Sequence, residues 1–283
     1  MKLLMLIIKE YGDIVEFKAA RTIMGKPVYF SYFYYIDGIL IDTGPSHVAR
    51  EVLKALKNLK LNKVIITHQH EDHTGNCALL HQELGVPIYA HPETIKVLND
   101  PPPIQIYRKV MWGNLPRATA RPLEKEFRTD KYLLNTVNTP GHSLDHTCFF
   151  EPDNRWLFCG DLYLGENLTG FMEGEDIVDH LKSLLKTINL KPDILFCGLK
   201  GYLENATERL IRKYHSWLEI CYRVIGLYEQ GKTRRYILNE VFGREILFYY
   251  FSQSNWGRRY MVDSIINNRD YFKSQKKESL SRL

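Results

Sequence analysis

The chain has 283 residues, 45% of them hydrophobic and 25% charged, with a formal net charge of +5. That length and apolar content suffice for one large core and an appendage, and the sequence holds no repeat and no low-complexity segment. Five cysteines (Cys77, Cys148, Cys159, Cys197 and Cys221) without CxxC spacing argue against a disulfide scaffold and for reduced thiols in a cytoplasmic protein.

The apolar run Leu3 to Ile8 is too short for a signal-peptide core or a membrane span and continues as a strand. Strand-like segments follow near 14–18, 27–36 and 38–42, then a helix from about His47 to Leu59. Further strands are expected at 63–67, 86–90, 132–138, 146–150, 155–160 and 193–197, with helices near 75–84, 92–98 and 176–188. The aromatic stretch from Tyr29 to Tyr35 suits a packed strand, because aromatic residues favour strands. Asp100-Pro101-Pro102-Pro103 ends the preceding helix, and the segment from there to about Arg117 is expected to cover the mouth of an active site.

After Glu204 the pattern turns helical. Leu210, Ile211, Tyr214, Trp217, Leu218, Cys221, Val224, Ile225 and Tyr228 recur at three- and four-residue spacing, so residues 206–230 form an amphipathic helix that stops at Gly231. Thr233 can cap a second helix through Val241, ended by Gly243, and a third spans about 256–266. These features divide the chain into residues 1–205 and a helical module, 206–283. The module carries 15 Lys or Arg against 8 Asp or Glu, a charge of +7, and the rest of the chain −2. A basic appendage suits a polyanion such as RNA or DNA. Part of the excess, however, is Lys273, Lys276, Lys277 and Arg282 near the terminus, and covering the active site or pairing two chains as a homodimer are equally open roles.

The chemistry concentrates in Thr67-His68-Gln69-His70-Glu71-Asp72-His73. His68, His70, Asp72 and His73 follow the β-branched run Lys63 to Thr67, at the carboxyl end of a strand, where α/β sheets place their sites. Imidazole nitrogen and carboxylate oxygen suit zinc, with manganese or iron possible. Two more candidates follow other strands: His142 in Thr139-Pro140-Gly141-His142-Ser143, and Asp161 after Trp156 to Gly160. His81, His91, His180 and His215 lack ligand spacing and read as structural.

The order HxHxDH, then TPGHS, then an apolar strand ending in Gly160-Asp161, with Asp42 and Gly44 in an early strand-turn, resembles the metallo-β-lactamase-fold hydrolase superfamily over residues 1–205. Thr139 to His146 and Gly160 to Glu166 resemble most its β-lactamase-like protein 2 branch. The resemblance implies an α/β fold, an αββα sandwich, with a small winged-helix-like module behind it. It further implies that His68, His70 and His142 bind one metal, that Asp72 and His73 bind a second, and that Asp161 bridges the two. Where the superfamily carries its last histidine ligand, this chain has Leu199 within Gly198-Leu199-Lys200-Gly201. One tightly bound zinc is therefore expected, with a second weaker or absent. Lys200 is either a solvated turn lysine or a partial stand-in for the missing positive charge. Asp145 and His146 are either supports of the ligands, substrate-facing groups, or a hydrogen-bonded pair at a strand start.

The activity implied is hydrolysis of an ester, thioester, lactone or phosphodiester by a metal-bound hydroxide, since a metal lowers the pKa of bound water from about 16 toward 7. If the second ion is absent, Asp72 orients the water and accepts its proton. Two alternatives stand beside a hydrolase of small-molecule esters or thioesters: a single-stranded RNA endonuclease, as a characterised member of the branch is, and a metal-binding regulatory protein with little catalysis.

Overall fold

The computed structural model describes residues 4–23, 26–167 and 169–281. Leu3 and Arg282, named above, lie outside the described residues, as do the side chains of Lys276 and Lys277. Two compact units result. The first comprises Met1–Asn138, Leu144–Leu164 and Leu190–Thr207, the second Thr139–Ser143, Gly165–Asn189 and Glu208–Leu283.

The first unit is a mixed α/β sandwich of two sheets. Its seven-stranded sheet runs β1 (Leu4–Tyr11), β2 (Ile14–Ile23), β3 (Lys26–Ile36), β4 (Ile39–Ile41), β5 (Lys63–Ile65), β6 (Ile88–Ala90) and β7 (Arg121–Pro122) in sequence order. The first four pair antiparallel, and β4 to β7 pair parallel. Successive side chains of a strand point to opposite faces, and the core follows that period. Leu40 and Val64 join Phe17 and Phe33 beneath α1 (Ala49–Leu56) and α3 (Cys77–Leu84), while Ile39, Ile41 and Ile65 face the other sheet.

That second sheet contains β8 (Glu126–Arg128), β9 (Leu133–Asn138), β10 (Thr147–Glu151), β11 (Trp156–Gly160), β12 (Ile194–Cys197) and β13 (Gly201–Glu204). It is ordered β13-β12-β11-β10-β9-β8 and is antiparallel except where β12 runs parallel to β11. Phe127, Leu134, Phe149, Phe158 and Phe196 fill the space between the sheets. Three further helices complete the unit: α2 (Glu71–Thr74), α4 (Pro92–Asn99) and α5 (Ile106–Trp112). The sequence pattern gave no sign of α5, β8 or β13.

The second unit is mainly helical: α6 (Ile177–Asn189), α7 (Ala206–Glu229, all but its first two residues), α8 (Arg234–Phe242), α9 (Leu247–Phe251), α10 (Arg258–Asn267) and α11 (Arg269–Ser281). Thr233 caps α8 by accepting from the Tyr236 N–H at 3.3 Å. Trp256–Gly257, expected to open a helix, instead pairs antiparallel with Phe171–Met172. The second unit also takes in Thr139–Ser143 and Gly165–Asn189, which precede residue 205. Ser264 Oγ accepts from the Ile177 N–H (3.0 Å) and Asn268 donates to Asp176 (2.9 Å), which ties the start of α6 to helices some ninety residues later. Among the described residues no helix is long and apolar enough to cross a membrane, and the five cysteines are all buried and free.

Phe196 is 1% exposed and stacks on Phe158 with ring centroids 4.7 Å apart. Phe196→Ala removes a ring at the centre of the inter-sheet core and should cost about 3–5 kcal/mol, read as a lower urea midpoint at unchanged slope.

Candidate metal centre

Asp42 follows β4 with a left-handed backbone, φ +61°. The turn aims its carboxylate at the end of β5, where Oδ1 accepts from the Thr67 N–H (2.8 Å) and Oδ2 accepts from the Thr67 hydroxyl (2.8 Å) and from His73 Nδ1–H (2.7 Å). These bonds fix two imidazole tautomers. His73 donates through Nδ1, so in the neutral ring its lone pair is on Nε2. The Thr67 hydroxyl spends its proton on Asp42 and accepts from His68 Nδ1 at 3.0 Å, which places the His68 lone pair on Nε2 as well.

Those nitrogens meet Asp161, carried out of β11. Asp161 Oδ2 is 4.0 Å from His68 Nε2, and His70 Nδ1 lies 3.0 Å from that same nitrogen. Asp161 Oδ1 is 3.4 Å from His73 Nε2, which also lies 3.7 Å from Asp72 Oδ2. One carboxylate thus turns an oxygen toward each of two corners, His68 with His70 and His73 with Asp72. The donor set fits a metal ion: His73 Nε2 is buried without a hydrogen-bond partner, and His68, His70 and Asp161 each offer an atom within 4.8 Å of the others.

The electrostatics agree. Burial raises the Asp72 carboxyl from 3.8 to about 6; His73 opposes that shift, and Asp161 and Glu71 add to it. Burial works against a charged His73, yet Asp72, Asp42 and Asp161 together hold that imidazole well above its ordinary range. Buried carboxylates crowd one histidine, and a cation relieves the crowding.

The surroundings hold the ligand-bearing segments in place. Glu71 forms a buried ion pair with Arg108 of α5, with Nε at 3.0 Å and Nη2 at 2.5 Å from Oε2, so the segment after the proline run docks on the motif itself. Asp145 is fully buried and accepts from the Gln69 N–H (2.8 Å) and the Thr94 hydroxyl (2.6 Å). His146 is equally buried, and its Nε2 accepts from the Asp161 N–H at 3.0 Å. Each accepts from a backbone N–H of a segment that carries candidate ligands, Gln69 for Asp145 and Asp161 for His146.

Gly198 closes the His73 corner. A Cβ there would stand 2.6 Å from Asp161 Oδ1 and 2.7 Å from His73 Cε1. The strand and turn are pinned by Tyr34 Oη donating to the Cys197 carbonyl and the Tyr32 N–H donating to the Gly198 carbonyl, both at 2.7 Å. Leu199 is half-buried and Lys200 exposed.

His142 belongs to the second unit, where it is buried with Nδ1 3.4 Å from Glu175 Oε2. His180 Nε2 lies 3.1 Å from the same oxygen. Burial pushes the Glu175 carboxyl up, but His142 and His180 outweigh it and bring it to about 2, so it is an anion at neutral pH. Thr67, Arg108 and Glu175 escape sequence reasoning because each acts through a partner that no local motif announces.

Residues 27–199 match the metallo-beta-lactamase superfamily. Thioesterase pkgB of Emericella nidulans is 31% identical over 179 residues, covering 62% of this chain and 46% of that protein. A beta-lactamase-like protein 2 homolog of Caenorhabditis elegans is 30% identical over 183 residues, 61% of this chain and 55% of that one. The chain spans about half the length of the curated relatives it matches. Among solved structures, a metallo-beta-lactamase family protein from Thermus thermophilus superposes with a TM-score of 0.62 at 17% identity, covering 97% of this chain and 94% of that one, which speaks for the fold.

The folded metal-free protein keeps Asp72 protonated to about pH 6, whereas the unfolded chain ionises it from 3.8. A carboxyl raised on folding makes stability fall as pH rises between those values, and a cation removes the penalty. Zinc should therefore raise the melting temperature more at pH 7 than at pH 5; an equal gain at both would refute Asp72 as a ligand. Leu199→His with Lys200→Gly should raise bound zinc from about one toward two per chain, because each well-placed ligand strengthens a site. Elemental analysis checks this, and two tightly held ions in the unaltered protein would contradict it.

Proposed function

The chain belongs to the metallo-beta-lactamase superfamily, and from that membership and its histidine–carboxylate centre we propose a metal-dependent hydrolase acting on thioester or ester substrates. The observation that carries the reading is the pair of Asp161 oxygens turned toward two imidazole–donor corners. His68, His70 and Asp161 are assigned to one zinc, with His142 added by its place in the superfamily motif; Asp72, His73 and Asp161 are assigned to a weaker second ion. Residues 1–205 are the catalytic domain of this reading and 206–283 its helical module.

When bound, the ion lowers the pKa of water and polarises the substrate carbonyl. The chain does the rest. Asp42 and Thr67 hold His68 and His73 in the tautomers that bind. With the second ion absent, Asp72, near pH 6 in its titration, can take the proton of the attacking water at Oδ2 and return it to the departing thiolate as the carbon–sulfur bond breaks; with that ion bound, Asp72 is its ligand instead. Thioesters are favoured among the candidate substrates because two relatives carry that activity in their names, thioesterase pkgB and an atrochrysone carboxyl ACP thioesterase of Aspergillus fumigatus.

One feature supports a second reading, cleavage of single-stranded RNA. The second unit has a groove of about 740 Å³ lined by Arg234, Arg235, Arg244 and Arg259 together with Tyr249 and Tyr250, a set that suits phosphates and stacked bases. Two of these arginines are already engaged, Arg234 with Asp263 and Arg259 with the Tyr249 hydroxyl, which weakens it.

Zinc-loaded protein should hydrolyse an acyl-pantetheine thioester, and His68→Ala should lower kcat/KM at least about 100-fold while releasing the tightly bound ion. Cleavage of an RNA oligonucleotide with no thioester turnover would replace this reading by the second. Metal binding without turnover of either would leave a binding protein.

A further inference from the structure

We propose that Glu175 is a positioning residue: it holds His142 in the tautomer and orientation that let Nε2 bind metal, and the cage of Phe171, His180 and Trp217 holds Glu175 in turn. The inference rests on the assignment of His142 as a ligand under the proposed function and goes beyond it, since no motif includes Glu175.

A carboxylate only accepts hydrogen bonds, so each imidazole nitrogen facing Glu175 carries the proton. His142 Nδ1 lies 3.4 Å from Oε2, an ion-pair separation rather than a formed hydrogen bond; a proton on Nδ1 is what the carboxylate anion favours there, and it leaves the lone pair of the neutral ring on Nε2. Metal-binding histidines commonly give their second N–H to a carboxylate, which fixes the ring and raises its basicity. The Glu175 side chain cannot swing away. Oε1 accepts from the Met172 N–H at 2.8 Å and Oε2 from His180 Nε2–H at 3.1 Å. His180 is itself clamped, stacked on Phe171 (centroids 5.4 Å apart) and met edge-on by Trp217 of α7 (5.1 Å).

The backbone carrying His142 is held by the same helix. The Gly141 carbonyl accepts from the Asp176 N–H (3.0 Å) and the Pro140 carbonyl from the Ser183 hydroxyl (2.7 Å). Gly141 has φ +137°, and a Cβ there would stand 2.5 Å from the His180 nitrogen. The Pro-Gly-His turn therefore needs its glycine to lie flat on the first turn of α6. Asp176 caps that turn, accepting from the N–H groups of Val178 (2.9 Å) and Asp179 (3.0 Å).

His142, Glu175 and His180 also satisfy the spacing of a metal site of their own. The structure favours a supporting role because both Glu175 oxygens already accept hydrogen bonds, Oε1 from the Met172 N–H and Oε2 from His180.

The test is zinc affinity, measured at pH 7 by competition with a chromophoric chelator, for the full chain and for Glu175→Gln, His142→Ala and the double variant. Glu175→Gln should weaken binding about 10- to 100-fold with circular dichroism unchanged, and should add nothing to His142→Ala, because it acts through that ring. The imidazole signal of His142 in a nitrogen-15 spectrum should lose its fixed Nδ1–H form in Glu175→Gln. Unchanged zinc affinity in Glu175→Gln while His142→Ala still loses it would overturn the positioning role alone. Unchanged affinity in His142→Ala would overturn the ligand assignment beneath it. Loss of a whole zinc equivalent in His180→Ala would show that the three side chains bind an ion themselves and would also overturn the proposal.

Discussion

Asp42 accepts three buried hydrogen bonds from two segments, and the imidazoles of His68 and His73 take their direction from them. Its left-handed backbone costs about 1–3 kcal/mol for a residue with a side chain. Hydrogen bonds to a charged acceptor are worth about 1.5–3 kcal/mol each, so three of them outweigh that strain. Without the carboxylate the Thr67 hydroxyl would be released to donate elsewhere, and neither the His68 nor the His73 tautomer would be fixed. The strained turn thus fixes the orientation of side chains at the end of the neighbouring strand.

The same carboxylate contributes to an imbalance of charge. Around His73 stand Asp42, Asp72 and Asp161, while Arg108 is spent on Glu71. Buried like charges raise one another's pKa and oppose folding in the ionised state. Arg108 shows how the fold treats an anion it means to neutralise permanently: an arginine from a separate helix reaches it with two guanidinium nitrogens. Arg108 also acts on Asp72 electrostatically, but more weakly than burial, His73, Asp161 and Glu71 do, so the Asp72 carboxyl stays raised.

Much of the first unit was legible in the sequence because its strands follow the two-residue period, with Leu40 and Val64 on one face and Ile39, Ile41 and Ile65 on the other, and because ligand types follow strand ends. What was not legible depends on partners distant in the chain. Helix α5 has no strong period of its own; it is held by Arg108 on Glu71, by His47 on the Lys109 carbonyl at 3.1 Å, and by Arg21 on Val110. Composition places a boundary near residue 205, yet the segment with His142 associates with α6 and the later helices through Ser264 and Asn268. His180 read as structural for want of ligand spacing, a reading that concerned its own nitrogens and not the carboxylate it shares with His142.

Leu199 bears on mechanism as much as on metal count. On the proposed assignment the second corner keeps Asp72, His73 and Asp161, and Gly198 beside them contributes no side chain. A corner short of one donor holds its ion less firmly, and Asp72, already reluctant to ionise, must lose its proton before it can contribute. Its two roles therefore compete: a carboxylate that ligates a second ion cannot also accept the proton of the attacking water. In a site with a fourth donor the ion wins that competition and the metals do the work of the base. With leucine in that place the proposed balance moves toward the proton, which burial, Asp161 and Glu71 already favour on Asp72 against the opposing pull of His73 and Arg108.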